Sequence, residues 1–489
     1  MNDGIIDDIE QLHDYRKTSA GVLQEAVMID YEIVLVLGET SVADSEGVAF
    51  CLNQAVKHSE NPVMLPGEPH QWDSLQISWP ATVLYSADEQ KFRCWYSGFD
   101  ILQTSDRFWR PGYAESEDGI HWVKPNLGQV EFLGSDTNRI ACDGNNLLSF
   151  VFENPVPGAP ENQRFVSLWS EIGNGMCYLR KRLAYSADGK VWVHREAAYE
   201  GIPFNRASFQ DISQIIYDLE ESDSEYLFKG YTQLSATRDW DGREMVRHIG
   251  LVNGSSFEKL VDAPERTALA PEKGIDEELH FAAVKKIGGS YLMLFESDNF
   301  SRNPIHGDLK LAVSSDGRSF KRVHPTTPLI ATGPKGMWDE NLLVTTSASM
   351  QEVGDEVYIF YIGCPNIYNS WPPPYMVSPE RRGSMFAPAY LGLATLPRDR
   401  YAYAEGPGTL TTHPMDISNG LWLNVEGDVS RITMSARVGE HTYKGHLTEE
   451  CSQGVYRRVV WDGAVPVGEF NVQIQLGIQC RLYSIKSAG

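Results

Sequence analysis

Apolar and polar residues alternate along most of this chain with the two-residue period of strands. A helical spacing shows only in the first 25 or so positions, at Ile5, Ile6, Ile9, Leu12 and Tyr15. Two early stretches, VMIDYEIVLVL from 27 to 37 and VAFCL from 48 to 52, already predict strands. The clearest runs then recur five times: KFRCWY ending at Tyr96, QRFVSLW at Trp169, EYLFKGY at Tyr231, SYLMLF at Phe295 and DEVYIFY at Tyr361. Each keeps aromatic residues in alternation, as a strand buried between neighbouring sheets does, so these rings are expected in the core rather than stacked on a ligand.

Behind three of these runs stands a relaxed Ser-x-Asp-Gly-x-x-aromatic sequence: Ser116 to Trp122, Ser186 to Trp192 and Ser314 to Phe320. Each Asp-Gly pair falls where a hairpin turns, and the aromatic falls on the returning strand. This is an Asp-box, a fold staple rather than a catalytic device. With Ser255 and Thr395 as degenerate counterparts, the copies stand about seventy residues apart, the spacing of blades with long insertions. The expected fold is all-β: residues 1–57 as an N-terminal extension whose strands pack on the rest, a five-bladed β-propeller over 58–400, and a β-sandwich over 401–489 built from runs such as LWLNV (421–425) and FNVQIQL (470–476).

Composition narrows the function more than the fold. A formal charge of −24, from 42 Lys and Arg against 66 Asp and Glu, speaks against a nucleic-acid partner, whose phosphates require a basic surface. Seven scattered cysteines without a Cys-x-x-Cys pair fit reduced thiols rather than a disulfide framework or a zinc knuckle. The acidic start has no basic and apolar leader pattern and no apolar run is long enough to span a bilayer, so a cytoplasmic protein without a membrane partner is expected. No cofactor is expected, although an acidic, oxygen-rich channel leaves a structural calcium open.

In a propeller the first strand of each blade lines the central channel, which directs attention to the residues before each aromatic run. These are Trp72 and Asp73, Asn146, Asp211 with Gln214, Glu278 with His280, and Trp338 with Asp339. Carboxylates converging on one funnel push their proton affinities apart, the condition for pairing an acid with a base. Each candidate has a structural alternative. The two Trp-Asp pairs equally suit strand caps or the closure of a blade, and a single His on a buried strand is more often a satisfied core residue than a proton shuttle. The WPPPY run (371–375) with Arg381 and Arg382 reads as a lid loop.

The stretch from Glu68 to Gly98, the GYAESEDGIHWVKPNLG segment (112–128), the HSENPV run beginning at His58, the GMWD sequence ending at Asp339 and the GLATL sequence ending at Leu396 resemble a group of bacterial five-bladed propeller proteins. That group is similar in turn to glycoside hydrolase families 32, 43, 62 and 68. The resemblance covers roughly residues 26 to 489. It implies a glycoside hydrolase-like enzyme acting on a sugar-like, polyhydroxylated substrate. By position, Asp73 would serve as base or nucleophile, Asp211 as transition-state stabiliser and Glu278 as acid, with Trp72, Asn146, Gln214, His280, Trp338 and Asp339 as substrate contacts. The Asn-Asp-Pro-Asn motif of invertases is absent, which argues against fructan cleavage. Two alternatives remain: an intracellular biosynthetic enzyme performing elimination, isomerisation or cyclisation, and a non-catalytic carbohydrate-binding propeller.

Overall fold

The computed structural model describes residues 31–100, 110–142, 146–172, 178–194, 212–236, 246–299, 306–365 and 388–488. Asp211, the WPPPY run, Arg381 and Arg382 lie outside them, as do the first positions with their helical spacing. Among the described residues the chain is nearly all strand, and its helical pieces are single 3-10 turns. No helix among them is long and apolar enough to cross a membrane.

Five antiparallel blades follow one another. Their inner strands are Gln76–Ser86, Asn146–Glu153, Ile212–Tyr217, Glu278–Ile287 and Leu342–Val353. The second strands are Lys91–Phe99, Phe165–Ile172, Phe228–Ala236, Ser290–Asn299 and Glu356–Cys364, which are the aromatic runs of the sequence. Trp95, Trp169, Tyr231, Phe295 and Tyr361 on them are all fully buried, as the alternation predicts. Each inner strand packs beside that of the next blade, and the fifth returns to the first, where Ser347 lies opposite Thr82 in a parallel bridge. The chain is a five-bladed β-propeller closed into a ring. Blade 5 takes its fourth strand from the other end of the propeller sequence: Val56–Lys57 pairs with Tyr390–Pro397, setting Lys57 opposite Ala394.

The Ser-x-Asp-Gly turns hold neighbouring blades together. Ser186 Oγ accepts the Gly189 N–H at 2.8 Å and Asp188 Oδ1 accepts those of Lys190 and Val191 at 2.8 and 3.0 Å, and the turns at Ser116 and Ser314 repeat the pattern. Gly119, Gly189 and Gly317 have φ of 76°, 75° and 69°, which an L side chain rarely adopts. Each turn then closes over the previous blade. Trp95 of blade 1 donates its indole N–H to Gly189 O at 2.6 Å, and the Tyr231 hydroxyl of blade 3 donates to Gly317 O at 2.9 Å.

All five inner strands break register against their second strands soon after they begin. The extra residues are Trp79 to Ala81 in blade 1, one position at 149 in blade 2, Ser213 in blade 3, His280 with Phe281 opposing Glu296 in blade 4, and Thr346 to Ser349 in blade 5. Bulges re-aim side chains, and here they aim them across the axis. Trp79 of blade 1 stacks on Phe281 of blade 4 with ring centroids 3.9 Å apart, and Ser347 of blade 5 donates to the carbonyl of Ser213 in blade 3. Neither pair of blades is adjacent in the ring, so the channel is filled at this level.

The rest of the chain forms a C-terminal β-sandwich around Leu421, Leu423, Ile432, Ile474, Leu476 and Leu482, all at most 1 % exposed. The N-terminal strands Tyr31–Leu35, Asp44–Glu46 and Ala49–Leu52 join this same sheet, pairing with Arg481–Ala488, Gly408–Thr411 and Ala402–Glu405. Leu35 and Leu37 continue into the core of blades 4 and 5, against Ile287 and Leu292.

Candidate functional site

The two Trp-Asp pairs occupy equivalent places, and these are not on the axis. Trp72 and Trp338 each stack on the tyrosine of a second strand, Tyr96 and Tyr361, with centroids 5.7 Å apart in both cases. Each indole also covers a glycine on the second strand (Gly98, Gly363) and another on the third (Gly112, Gly392), where a Cβ would collide with the ring. Asp73 Oδ2 accepts from the Tyr96 hydroxyl at 2.8 Å and from Lys124 Nζ at 2.6 Å; Asp339 Oδ2 accepts from Lys57 Nζ at 2.5 Å. Blade 4 repeats the device without the tryptophan, with Asp276 held by Arg322 at 2.9 Å. In blades 4 and 5 the basic residue stands on the fourth strand opposite an alanine of the third, Arg322 facing Ala312 and Lys57 facing Ala394.

This corrects the expectation that Trp72, Asp73, Trp338 and Asp339 line the funnel. The inner strands begin after them, at Gln76 and Leu342, and the pairs fold back over the outer strands of their own blades. Asp73 and Asp339 are 1 % and 3 % exposed, with their charge already matched. Gln214 is a clamp between blades: its amide donates to the Val284 carbonyl at 2.9 Å and accepts the Val284 N–H at 2.7 Å, which engages both ends of the side chain. Asn146 is the first residue of its inner strand, opposite Glu171, and its side chain lies outside the described set. Asp211 does so entirely.

Glu278 and His280 are where the sequence placed them, at the start of an inner strand, and they have company. Glu278 stands directly opposite Asp298 of the second strand, and the bulge sets His280 and Phe281 against Glu296. Glu296 and Asp298 are two residues apart on one strand, so both project from the same face. Arg247, from the third strand of blade 3 (Val246–Gly254), reaches across with Nη1 3.2 Å from Glu278 Oε2. His280 Nδ1 lies 3.8 Å from Glu296 Oε1, and the imidazole stacks on Phe281. Glu278 keeps 18 % of its side chain exposed; Glu296 and Asp298 keep none.

The electrostatics follow from that burial. Loss of water, together with the neighbouring Asp298 charge, pushes Glu296 far above the usual carboxylate range. Burial does the same to Asp298, against the pull of Arg247 and with the help of Glu278. His280 is driven well below its ordinary value by burial and then by Arg247, which keeps the ring neutral. Among the described residues no group outside the cluster hydrogen-bonds either oxygen of Glu296 or Asp298 or Nδ1 of His280, which leaves the two carboxyls with only each other. The cluster thus offers solvent one carboxylate with a counter-ion and, behind it, three buried groups facing one another. Glu296, Asp298 and Arg247 escaped the sequence reading. The available signal was the Glu-Ser-Asp alternation that prolongs SYLMLF, two acidic residues on one face of a strand otherwise apolar.

No protein-family profile and no curated protein matches the chain. Among solved structures it is similar to one described as a glycoside hydrolase, at 15 % identity over 70 % of this chain and 92 % of that one, with a TM-score of 0.46. A second, from work on family 130 mannoside phosphorylases and the hydrolases among them that target β-1,2 mannosidic linkages in Candida mannan, shares 14 % identity over 72 % and 95 %, with a TM-score of 0.45. The family 32 β-fructofuranosidase of Bombyx mori shares 11 % over 88 % and 94 %, with a TM-score of 0.41.

Proposed function

We propose that this protein is an enzyme acting on a sugar-like, polyhydroxylated substrate, with hydrolysis of a glycosidic bond as its reaction, and that the substrate meets Glu278 at the head of the blade 4 inner strand. The observation that carries this reading is the gathering of Glu278, His280, Glu296, Asp298 and Arg247 at one place beside the axis. Burying carboxyl groups away from water costs on the order of a few kcal/mol each even when a raised proton affinity leaves them neutral, and the ring needs no such cluster to close. Perturbed ionisable groups held together in this way mark a chemical site. Glu278 has the exposure to touch a ligand, and Arg247 supplies the counter-charge that suits a carboxylate working in its ionised form, as base or nucleophile rather than as the acid expected from position alone. The buried groups behind it set the field in which it works.

Incubation with a panel of aryl glycosides and oligosaccharides tests the proposal. Glu278→Gln should lower kcat/KM by roughly 100- to 10,000-fold, the usual contribution of a positioned acid or base, while the fold, followed by circular dichroism, stays intact. Turnover that survives this change removes Glu278 from the chemistry. Sugar binding without turnover by the unaltered protein points instead to a binding module, and a product other than that of hydrolysis to the biosynthetic alternative.

A further inference from the structure

We propose that His280, Glu296 and Asp298 form a binding site for a first-row divalent transition-metal ion such as zinc. One donor atom from each of the three lies within 4.8 Å of the other two, and no other three such residues converge in this way among those described. The separation of His280 Nδ1 and Glu296 Oε1, 3.8 Å, is too long for a hydrogen bond. Two ligands each about 2.1 Å from one ion stand about 3.0 Å apart at a right angle and about 3.4 Å apart at a tetrahedral one, so this pair needs to close by only about half an ångström to hold an ion.

The independent observation is the state of the donors. His280 is 8 % exposed and the two carboxyls are fully buried, yet among the described residues no group outside the cluster hydrogen-bonds either oxygen of Glu296, either of Asp298, or Nδ1 of His280. Buried polar groups in folded proteins are paired almost without exception. A proton shared between the two carboxyls engages only one oxygen of each and leaves His280 out, whereas a cation engages all three side chains at once. The local backbone aims them: the register break opposite Glu296 brings His280 onto the second strand, and the period of two puts Glu296 and Asp298 on one face.

Charge and donor type select the ion. Two carboxylates offset a divalent charge, and Arg247, which acts on the cluster from blade 3, is already engaged by Glu278. One imidazole with two carboxylates is a set that zinc and its first-row neighbours accept, while calcium prefers oxygen ligands alone and in greater number. The calcium left open by the sequence therefore does not suit this place. The inference concerns the three buried side chains only and stands apart from the identity of the substrate.

The test uses the full chain freed of metal with a chelator, then titrated with Co2+ and separately with Zn2+, followed by calorimetry and, for cobalt, by its visible absorption. One ion per chain is expected, with a cobalt spectrum showing nitrogen and oxygen ligation and a rise in melting temperature on loading. His280→Ala and Glu296→Gln should each weaken binding by more than the roughly 10- to 100-fold that loss of a supporting partner costs, while Asp339→Asn, in the staple of blade 5, leaves it unchanged. If a ligand variant fails to fold, the titration of the unaltered chain still decides. No stoichiometric binding, or binding that survives both ligand substitutions, overturns the proposal. Metal binding without any sugar turnover leaves it standing and counts only against the enzymatic reading.

Discussion

Asp73 shows how a single residue can be visible in a sequence while its work is not. Its neighbour Trp72 and its position before an aromatic run are plain, and both fit a ligand contact as well as a cap. What decides is Lys124, 51 positions away, and for Asp339 it is Lys57, 282 positions away. No local pattern announces a partner at that distance. The geometry predicts a structural loss for Asp73→Asn. Lys124 then keeps its charge with only 22 % of its side chain in water, and the Tyr96 hydroxyl loses an ionised acceptor, a change worth about 2 kcal/mol. Urea denaturation measures it through a lower midpoint at unchanged slope. A variant as stable as the parent would remove the staple and return Asp73 to the candidates for chemistry. Glu278 reads differently because its position at the head of an inner strand follows from the blade repeat itself.

At the level of single elements, the repeat was legible because it is written in local chemistry. Aromatics alternate wherever a strand is covered on both sides, and Ser-x-Asp-Gly occurs where a turn needs a positive φ. The register breaks were not legible, since no Gly or Pro marks the extra residue at Ser213 or His280, and with them went the view of Glu296 and Asp298. The turns carry a pH-dependence. Burial by itself raises the Asp188 carboxyl, but the N–H groups of Val191 and Lys190 and the Ser186 hydroxyl outweigh it and hold the group below its ordinary value. Asp316 behaves the same way, with Arg318 N–H first among its donors after burial. Because the folded value is depressed, these turns contribute stability that is complete above the ordinary value near 4 and is lost as pH falls through the folded value. Melting temperature should therefore fall below about pH 4. Asp188→Asn combined with Asp316→Asn should lower it at neutral pH and flatten the acid limb, because Asn retains an oxygen for the turn but no charge. An acid limb as steep in the double variant as in the parent would assign the loss to other carboxylates.

For the molecule as a whole, the connection between propeller and sandwich is drawn by the N-terminal segment. Residues 31 to 52 supply three strands to the sandwich sheet, and four residues later Val56–Lys57 closes blade 5. Within residues 31 to 52, Leu35 and Leu37 lie in the core of blades 4 and 5, in one cluster with Tyr401 and Ala402, which lead into the sandwich. Tyr456 of the sandwich donates to Asp399 at 2.8 Å, and Arg400 donates to the Asn424 side chain at 2.8 Å. Opening either body thus uncovers apolar surface of the other and strips a strand from it. Calorimetry should show one unfolding transition for the full chain. A fragment beginning at residue 401 should not fold alone, because without residues 31–52 the strands Arg481–Ala488, Ala402–Glu405 and Gly408–Thr411 each lose a neighbour, and unpaired strand edges invite association. Supplying the missing strands as a fused N-terminal segment, residues 31–52 joined to 401–489, tests the cause: dispersed amide resonances in the fusion and a collapsed spectrum in the bare fragment are expected. Two separate transitions in the full chain, or a well-folded bare fragment, would mean that the propeller and the sandwich hold themselves together and that the N-terminal strands merely decorate an edge.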